Sequence, residues 1–573
     1  MIHKITMRFF SKRRSWLAAT FLLLSACNKK ILDEKPLDFL TPSNAYTTVD
    51  GAQQGVNGLY SIVRRYWFYM DGNPTYALFS LGTDQSFDGE EPGGQRFLTD
   101  YSVTIVPTNA QVANMWKWNY EVIAHSNALI NGISNADAAV WPSEKAKNVF
   151  LSEAMFFRAF SYRILVTFFG DVPLVTEVIN EAKTDFVRAP KTEVYKQIED
   201  DFIFAAENLP KRGTEAAPGR LTQSAAWHYL SEMYLAQKKF ELAKDAASKV
   251  IDDYGHALMT HRFGTNLGKD VFGSGDPYYD LFTNDNQNLP ENTEGVWVIQ
   301  HEPLVTGGAG GGFYGEGIYG PRYFSLGKTP DGFQAILGEF MNGRYTGYSD
   351  TLGAGVARCR PTNYMVYDIW ESDWDNDIRN AKHNIKRDYY FDNPASAYHG
   401  QKIDFSLYPP GSRVPLKDTI NYIFPYWLKL SEPLRHTKSL ATSGGGTSWK
   451  DIYAIRLAET LLLRAEAYLG MSRFDLAAAD INTVRNRAQA TPITPDQVTI
   501  DYILDERARE LYAEEHRGIT LLRLGKLVER VRKYHSNPLR WGAGIQDHNN
   551  LWPIPQTEID LNISATLAQN PGY

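Results

Sequence analysis

The sequence predicts a mainly α-helical fold in which helical hairpins flank a large, irregular, loop-rich insertion that contains short strands. Three observations support this fold class. Helical periodicity recurs in both outer parts of the 573-residue chain, two of the predicted hairpins share one spacing of aromatic and small residues, and residues 256–450 follow neither a helical nor a strand period. Hydrophobic residues make up 43% and charged residues 22% of the chain, which excludes a disordered, collagenous or coiled-coil protein.

The predicted helices fall into two groups. The first group begins with a helix that ends near 58–60 and continues over 148–169, 191–209, 223–237 and 240–254; the second covers 451–470, 473–489, 498–515 and 517–534. The helix over 148–169 is apolar around most of its surface, which is typical of a buried helix. Gly170 and Pro173 end it, because glycine suits the end of a helix and proline cannot continue one.

Two of the predicted hairpins share the spacing of a tetratricopeptide repeat. Trp227, Tyr234 and Ala243 occupy positions at which a large aromatic side chain wedges between two helices and an alanine permits close approach. Tyr468 and Ala477 repeat the step from Tyr234 to Ala243 in the second group of helices. Two hairpins in the same register, far apart in the chain, predict a repeat scaffold divided by a long insertion.

The insertion, residues 256–450, is rich in glycine, proline, asparagine, aspartate and aromatic residues. Within it, Trp297, Val298 and Ile299 predict a strand. A shorter irregular stretch, residues 66–118, is also rich in aromatic residues. An irregular segment as long as the insertion usually serves a function.

The composition favours a binding protein with a wet, aromatic surface. The chain holds 13 Trp, 33 Tyr and 29 Phe, and its formal net charge is −7. These numbers of tyrosine and tryptophan exceed what a core requires, and such rings suit wet interfaces and flat ligands. The acidic balance argues against nucleic acid as a partner. Two cysteines are too few for a disulfide framework or a four-thiolate zinc site.

The first 26 residues are typical of a signal peptide. Residues 4–14 are basic and contain no acidic residue, and the apolar run over 16–26 is too short to span a membrane. The run ends in Ser25 and Ala26 before Cys27, as in a bacterial lipobox. We expect cleavage before Cys27 and acylation of its thiol, so that the mature protein is anchored to a membrane by lipid. A plain secretory cleavage site is the alternative.

No catalytic motif in the sequence is complete. Gly310, Gly312 and Gly315 match the glycines of a dinucleotide fingerprint, but no helix pattern follows to hold a pyrophosphate. The acidic residues Asp84 and Asp88 are interpreted as part of a solvated loop. Neither an H-E-x-x-H nor a G-x-S-x-G pattern is present. We therefore expect neither enzymatic activity nor a cofactor.

Asp373, Asp375 and Asp377 begin like a calcium-binding loop. The sixth position of such a loop should be glycine and is Ile378, and the twelfth should be glutamate and is Asn384. A solvated acidic turn is the favoured interpretation. Calcium held by a subset of the three aspartates remains the alternative.

Short motifs spread over nearly the whole chain match those of one family, in the correct order. They are LDEKP at 32–36, GLY at 58–60, EA-x3-RA-x2-Y at 153–162, FGDVPL at 169–174, GRLT at 219–222, IRLAE at 455–459, ERA at 506–508, PIP at 553–555 and QNPGY at 569–573. With Cys27 before them, these motifs make the chain resemble the SusD/RagB family of surface lipoproteins of Bacteroidetes. Within the motifs, Arg158, Glu506 and Arg517 are predicted to join helices through charge-assisted hydrogen bonds.

The resemblance implies a tetratricopeptide-like scaffold, lipid-anchored to the outer membrane and exposed at the cell surface. Members of the family cover a SusC-like TonB-dependent barrel and capture nutrient for it, usually a glycan and in the RagB branch peptide. The expected segments are a lipoprotein signal peptide over 1–26, a SusD-like part with hairpins over 27–255, the variable insertion over 256–450, C-terminal hairpins over 451–535 and an extended tail packed on the scaffold over 536–573.

The family's ligand contacts lie in variable loops, so the candidates come from the residues themselves. Sugars bind by stacking on tryptophan and tyrosine rings, with polar groups at the rim. The loop aromatics that we expect to contact ligand are Tyr66, Trp67, Tyr69, Tyr314, Tyr319, Tyr323, Trp370 and Trp374. Peptide capture is the alternative for the same scaffold, and a structural lid without a ligand of its own is a further one.

Overall fold

The computed structural model describes residues 45–65, 80–90, 97–265, 267–302, 305–308, 315–411, 418–435 and 448–573. The predicted signal peptide and Cys27 lie outside these ranges. Within them, helices dominate and strands are short. None of the helices described there is both long enough and apolar enough to cross a membrane.

Six long helices form the N-terminal part, and the buried helix α3 lies at their centre. They are α1 (Val49–Arg64), α2 (Ala110–Asn135), α3 (Glu144–Phe169), α4 (Lys191–Asn208), α5 (Gln223–Ala236) and α6 (Phe240–Asp253). α3 packs against α2 on one side and α4 on the other. Its residues from Leu151 to Phe169 are almost all buried, as its apolar surface predicts.

Helix α2 corrects the prediction that residues 66–118 are irregular. The helix begins at Ala110, after Asn109, whose side chain accepts a hydrogen bond of 2.7 Å from the backbone N–H of Gln111. Trp116 and Trp118 are both buried although they are two positions apart, because α2 is covered on more than one side. Buried aromatic residues on two faces hide the helical period from sequence analysis.

Between residues 452 and 534 the C-terminal part contains one strand and five α-helices. They are β2 (Ile452–Arg456), α7 (Leu457–Gly470), α8 (Phe474–Arg487), α9 (Ile500–Leu511), α10 (Arg517–Arg523) and α11 (Leu527–Tyr534). Strand β2 pairs antiparallel with β1 (Gly295–Ile299), which confirms the predicted strand but makes the helix predicted over 451–456 wrong. The helix predicted over 517–534 is divided at Gly525, whose φ is +64°.

The two predicted repeat hairpins lie next to each other. Helices α5 and α6 form one hairpin and α7 and α8 the other, and α6 packs against α7. Ala243 and Ala477 are fully buried at the positions where the repeat spacing expects close approach. Gly470 serves the same purpose, since a Cβ atom there would lie 2.4 Å from the ring of Phe240. The predicted repeat scaffold is therefore confirmed.

The insertion consists of loops with short regular elements. Its helices are Pro277–Leu281, Gly315–Tyr319 and Asn363–Val366, and outside it lie the short helices Tyr101–Thr104 and Gln556–Leu561. Its two-residue strands pair as Phe340–Met341 with Arg344–Tyr345, Ile385–Lys386 with Tyr426–Trp427, and Ser86–Phe87 with Arg360–Pro361. The last pair joins the loop after α1 to the insertion.

Buried ion pairs connect the helices, as the motifs predict. Arg158 on α3 donates to Asp201 on α4 at 2.7 Å. Asp84 accepts at 2.6 Å from both Arg517 and Arg530. The interpretation of Asp84 as part of a solvated acidic loop is wrong, because this carboxylate is completely buried between the two guanidinium groups.

The C-terminal tail packs on the end of α3. The Trp552 ring contacts Phe168 with 4.5 Å between ring centroids. The Asn570 side chain donates to the carbonyl oxygens of Phe169, at 2.9 Å, and Trp552, at 2.7 Å. The bond to Phe169 satisfies a carbonyl group that the end of a helix leaves without a partner.

Candidate functional site

The site begins at a turn of the insertion that exposes two aromatic rings. Tyr367 directly follows the short helix Asn363–Val366, and Trp374 lies seven positions after Tyr367 in the chain. The two rings lie 10° from parallel with 6.4 Å between their centroids. Tyr367 is 53% and Trp374 41% exposed, which is unusual for large aromatic side chains. We call these two rings the aromatic platform.

Trp370 anchors the turn from inside. Its side chain is fully buried, and its indole N–H donates a hydrogen bond of 2.8 Å to the carbonyl oxygen of Met365. No face of this ring is available for stacking on a ligand. The two tryptophans of one turn therefore have opposite roles, with Trp370 in the core and Trp374 at the surface.

Two aspartates of the suspected calcium loop fix the turn to the helical scaffold. Asp373 accepts from Arg485 on α8 at 2.7 Å and from the backbone N–H of Thr491 at 2.9 Å. Burial raises the pKa of Asp373, but the hydrogen bonds from Thr491 and Arg485 outweigh it and lower the pKa overall. Asp377 pairs with Arg379 at 2.6 Å.

These pairs leave little for calcium to bind. The charges of Asp373 and Asp377 are balanced by guanidinium groups, and Asp375 alone of the three is exposed to solvent. In the described ranges, no cluster of three or more metal-ligating side chains occurs. The calcium-like spacing is thus explained by the anchoring of a turn.

Arg379 extends the anchor to helix α9. Its guanidinium group donates to Glu506 at 2.8 Å and to Glu510 at 3.0 Å, and all of these side chains are fully buried. Because planar guanidinium groups hold carboxylates in fixed directions, the turn has a defined position on the scaffold. A rigid support is what a binding surface needs in order to avoid ordering costs when a ligand arrives.

Arg387 supports the platform directly. Its guanidinium carbon lies 4.6 Å from the centroid of the Trp374 ring, a cation–π contact. The same group donates to the carbonyl oxygen of Val366 at 3.1 Å and to the side chain of Asn380. Burial lowers the pKa of Arg387 to about 10, so it stays charged near neutral pH. Exposed polar residues lie next to the two aromatic residues in the sequence: Asp368, Glu371, Ser372, Asp375 and Asn376.

The other predicted ligand contacts have different positions. Tyr319 and Tyr323 are buried, the first with its hydroxyl 2.7 Å from the Ser80 hydroxyl and the second accepting at 2.8 Å from the backbone N–H of Ser349. Neither presents a ring face to solvent. Four candidates lie outside the described residues: Tyr66, Trp67, Tyr69 and Tyr314.

Sequence analysis does not single out Tyr367, the second ring of the platform. Its neighbours Val366 and Asp368 have opposite character and give no sign of an exposed side chain. The structure also brings the loop after α1 to this part of the insertion. Thr362, which directly precedes the short helix Asn363–Val366, donates from its hydroxyl to the carbonyl oxygen of Asp84 at 2.7 Å. The two aromatic-rich stretches of the sequence therefore meet here.

Fold and site together define a ligand-binding protein built on helical repeats. A sequence model of the SusD family matches residues 341–573, and a model described as "Starch-binding associating with outer membrane" matches residues 37–235. The two matches cover most of the chain. The chain belongs to the SusD/RagB family, and its members are non-catalytic binding proteins.

The matches to similar proteins cover about three quarters or more of the chain. SusD-like protein P2 of Formosa agariphila is 25% identical over 566 residues, which are 96% of this chain and 98% of that protein. The starch-binding protein SusD of Bacteroides thetaiotaomicron is 26% identical over 453 residues, 74% of this chain and 72% of that one. The solved structure of a laminarin-binding SusD-like protein superposes with a TM-score of 0.66 at 24% identity and covers 92% of this chain and 100% of its own.

Proposed function

We propose that this protein binds nutrient oligosaccharide or polysaccharide at the surface of the outer membrane and delivers it to a SusC-like TonB-dependent barrel. The observation that carries the binding part is the exposed, parallel pair of Tyr367 and Trp374 on a rigid turn. A pyranose has an apolar face of C–H groups, and such faces stack on flat aromatic rings. Its hydroxyl groups then need polar partners at the rim, which the exposed acidic residues beside the rings supply.

The names of similar proteins agree with this ligand class, since one is laminarin-binding and another starch-binding. Both names denote glucose polymers, which present a repeated flat face to a platform. Four residues outside the described ranges remain proposed ligand contacts: Tyr66, Trp67, Tyr69 and Tyr314. Delivery to a barrel and attachment through acylated Cys27 are proposed from the family resemblance and the lipobox sequence.

Removing the platform is expected to weaken glycan binding at least about 10-fold, because interface aromatics often contribute more than 1.4 kcal/mol each. The variant is Tyr367→Ala with Trp374→Ala, titrated with laminarin and starch oligosaccharides by calorimetry. The matched control is Trp541→Ala, which removes a tryptophan that is 60% exposed in the C-terminal tail. We expect this control to bind like the parent chain.

An unchanged dissociation constant in the double variant would exclude the platform as the glycan site. Peptides titrated in parallel distinguish the RagB-like alternative. If the parent chain binds no polysaccharide but binds peptide, and the platform variant loses peptide binding, the ligand class is peptide and the site stands.

Replacing Cys27 by serine is expected to release the protein from membranes, since an oxygen in place of the thiol prevents acylation and removes the anchor. The measurement is the share of protein that sediments with the outer membrane after expression in a bacterial host that processes lipoproteins. Cys359→Ser is the control, because this cysteine is fully buried and has no lipobox before it. Sedimentation of the Cys27 variant at the parent level would contradict lipid anchoring at this residue.

A further inference from the structure

The turn that carries the aromatic platform holds five acidic residues, and the structure divides them into two groups. Asp373 and Asp377 are buried, and arginines balance their charges. Asp368, Glu371 and Asp375 are exposed. We call these three the outer carboxylates. The negative charge of the turn is therefore neutralised on its inner side and left on its outer side.

The outer carboxylates have no part in holding the turn together. Among the residues that the structure describes, none of the three side chains forms an ion pair or a hydrogen bond. Other loop aspartates of the insertion do have such partners: Asp276 accepts from the backbone N–H of Tyr279 at 2.7 Å. The charges of the outer carboxylates are therefore available to act on whatever approaches the two rings.

Each outer carboxylate lies close to the platform. Asp368 directly follows Tyr367 and Asp375 directly follows Trp374, so their Cα atoms are about 3.8 Å apart within each pair. Glu371 precedes Trp374 by three positions, at most about 11 Å even in an extended chain, and the segment is folded into successive tight turns. A ligand on the rings is thus within about one Debye length of all three charges at 0.1 M salt.

Fewer positive charges stand against these three. Arg387 lies 4.6 Å from the centroid of the Trp374 ring, and its hydrogen bonds go to uncharged groups. The next exposed cation along the chain, Lys382, comes eight positions after Trp374. The formal net charge of the whole chain, −7, has the same sign as the outer carboxylates. The surface that a ligand meets at the platform is therefore negative.

We propose that the platform selects glycans by charge, accepting uncharged sugar units and rejecting units that carry a carboxylate or a sulfate. The proposal rests on the proposed function, because the platform must bind glycan before it can select among glycans. A pyranose stacked on the rings places its substituents beside the outer carboxylates. Repulsion of like charges is a general means of excluding a wrong ligand.

The chemistry of the substituents decides the outcome. A sugar hydroxyl donates a hydrogen bond to a carboxylate, whereas an ionised ligand acid has no proton to donate and carries the same charge. Two unit charges about 8 Å apart in water change a binding constant roughly twofold. Three outer carboxylates, partly offset by Arg387, are therefore expected to weaken the binding of an anionic unit about 5-fold at low salt.

Oligosaccharides that differ only at C6 test the selection. Laminarin and starch oligosaccharides are used with their native C6 hydroxyl groups, with some of these oxidised to carboxylates, or with some replaced by amines. The carboxylate and ammonium forms are compared with each other, because both alter C6 and they differ in the sign of the charge. By calorimetry at low salt, we expect the ammonium form to bind the parent chain at least about 5-fold more tightly. In about 0.5 M salt the difference should nearly disappear, since screening removes the repulsion.

Removing the outer carboxylates identifies the source of the preference. The variant Asp368→Asn, Glu371→Gln, Asp375→Asn should bring the ratio of the two dissociation constants close to one. The control replaces three exposed glutamates of α3 and α4 by glutamine, which changes the net charge equally, and should keep the parent ratio: Glu144, Glu193 and Glu207.

The outcomes separate this proposal from the proposed function. A parent chain that binds the carboxylate form as tightly as the ammonium form would overturn selection by charge and leave glycan binding in place. A ratio that the control changes as much as the platform variant does would overturn the role of the outer carboxylates. No binding of any form, the native one included, would contradict the proposed function itself and this inference with it.

Discussion

Replacing Glu510 by glutamine is expected to lower the free energy of unfolding by about 3 to 5 kcal/mol, the usual cost of breaking a buried ion pair by removal of one partner. The Glu510 carboxylate accepts from Arg456 at 2.8 Å, from Arg379 at 3.0 Å and from Arg487. All four side chains are almost completely buried. Glutamine keeps the shape but leaves three buried guanidinium groups short of one negative charge.

Chemical denaturation measures this loss through the midpoint of unfolding. Glu529→Gln is the matched control, because Glu529 is 58% exposed and its pair with Lys526 should contribute less than about 1 kcal/mol. Hydrogen exchange over residues 371–380 gives a second reading, since Arg379 also holds the turn that carries Trp374. A midpoint that moves no more than that of the control would contradict the structural role assigned to Glu510.

Acidification below about pH 6.5 is expected to destabilise the protein before the arginine-bound carboxylates Asp84, Glu232 and Glu506 titrate. Burial lowers the pKa of five histidines, to about 3 for His228, His301 and His516 and to about 4 for His256 and His535. Unfolded histidine binds a proton near pH 6.5, whereas these folded ones stay neutral. Their contribution is complete above pH 6.5 and is lost as pH falls from there toward the folded values.

The expected effect is large. Each such histidine costs about 1.4 kcal/mol per pH unit below 6.5, so the five together lower the free energy of unfolding by on the order of 10 kcal/mol by pH 5. Carboxylates add to this at lower pH. Burial raises the pKa of Asp84, Glu232 and Glu506, but neighbouring arginines outweigh it and lower each to about 2, so their contribution disappears between about pH 4.5 and 2.

Calorimetric melting between pH 7.5 and 5 measures the slope, and His535→Leu tests its origin. Neither ring nitrogen of His535 has a hydrogen-bond partner among the described residues, so leucine removes a proton-binding group without breaking such a bond. We expect the variant to take up about one proton fewer on unfolding at pH 5.5. His399→Leu, at an exposed position, should leave the slope unchanged. An identical slope in the His535 variant would refute the assignment.

The scaffold is predictable from the sequence because its signals are local. Gly170 and Pro173 end α3 where expected, and the step from Tyr234 to Ala243 identifies a hairpin without any knowledge of its partner. Strand β2 is not predictable in the same way. Its residues are apolar on both faces and lead directly into α7, so only pairing with β1, more than 150 positions earlier, makes them a strand.

The site depends on contacts that are distant in sequence, and there prediction is partial. Trp370 and Trp374 lie in the same turn, but the first is buried in the core with its indole N–H bonded to the carbonyl oxygen of Met365, while Arg387 lies over the ring of the second. The spacing of Asp373 and Asp377 suggests calcium. Arginines, one of them from helix α8, supply the positive charge instead. No local pattern reveals which cation meets a carboxylate.

The ion pairs of Asp84 with two C-terminal arginines suggest an order in which parts of this protein fold. Its partners Arg517 and Arg530 lie 433 and 446 positions later in the chain. Contacts across such separations form late, because the intervening chain must first be brought together. Until the last helices are in place, the loop after α1 has no counter-charge and its aspartate stays hydrated. We therefore expect the turn that carries Trp374 and that loop to reach their final positions only when the C-terminal helices dock, so that the proposed binding surface forms late in folding.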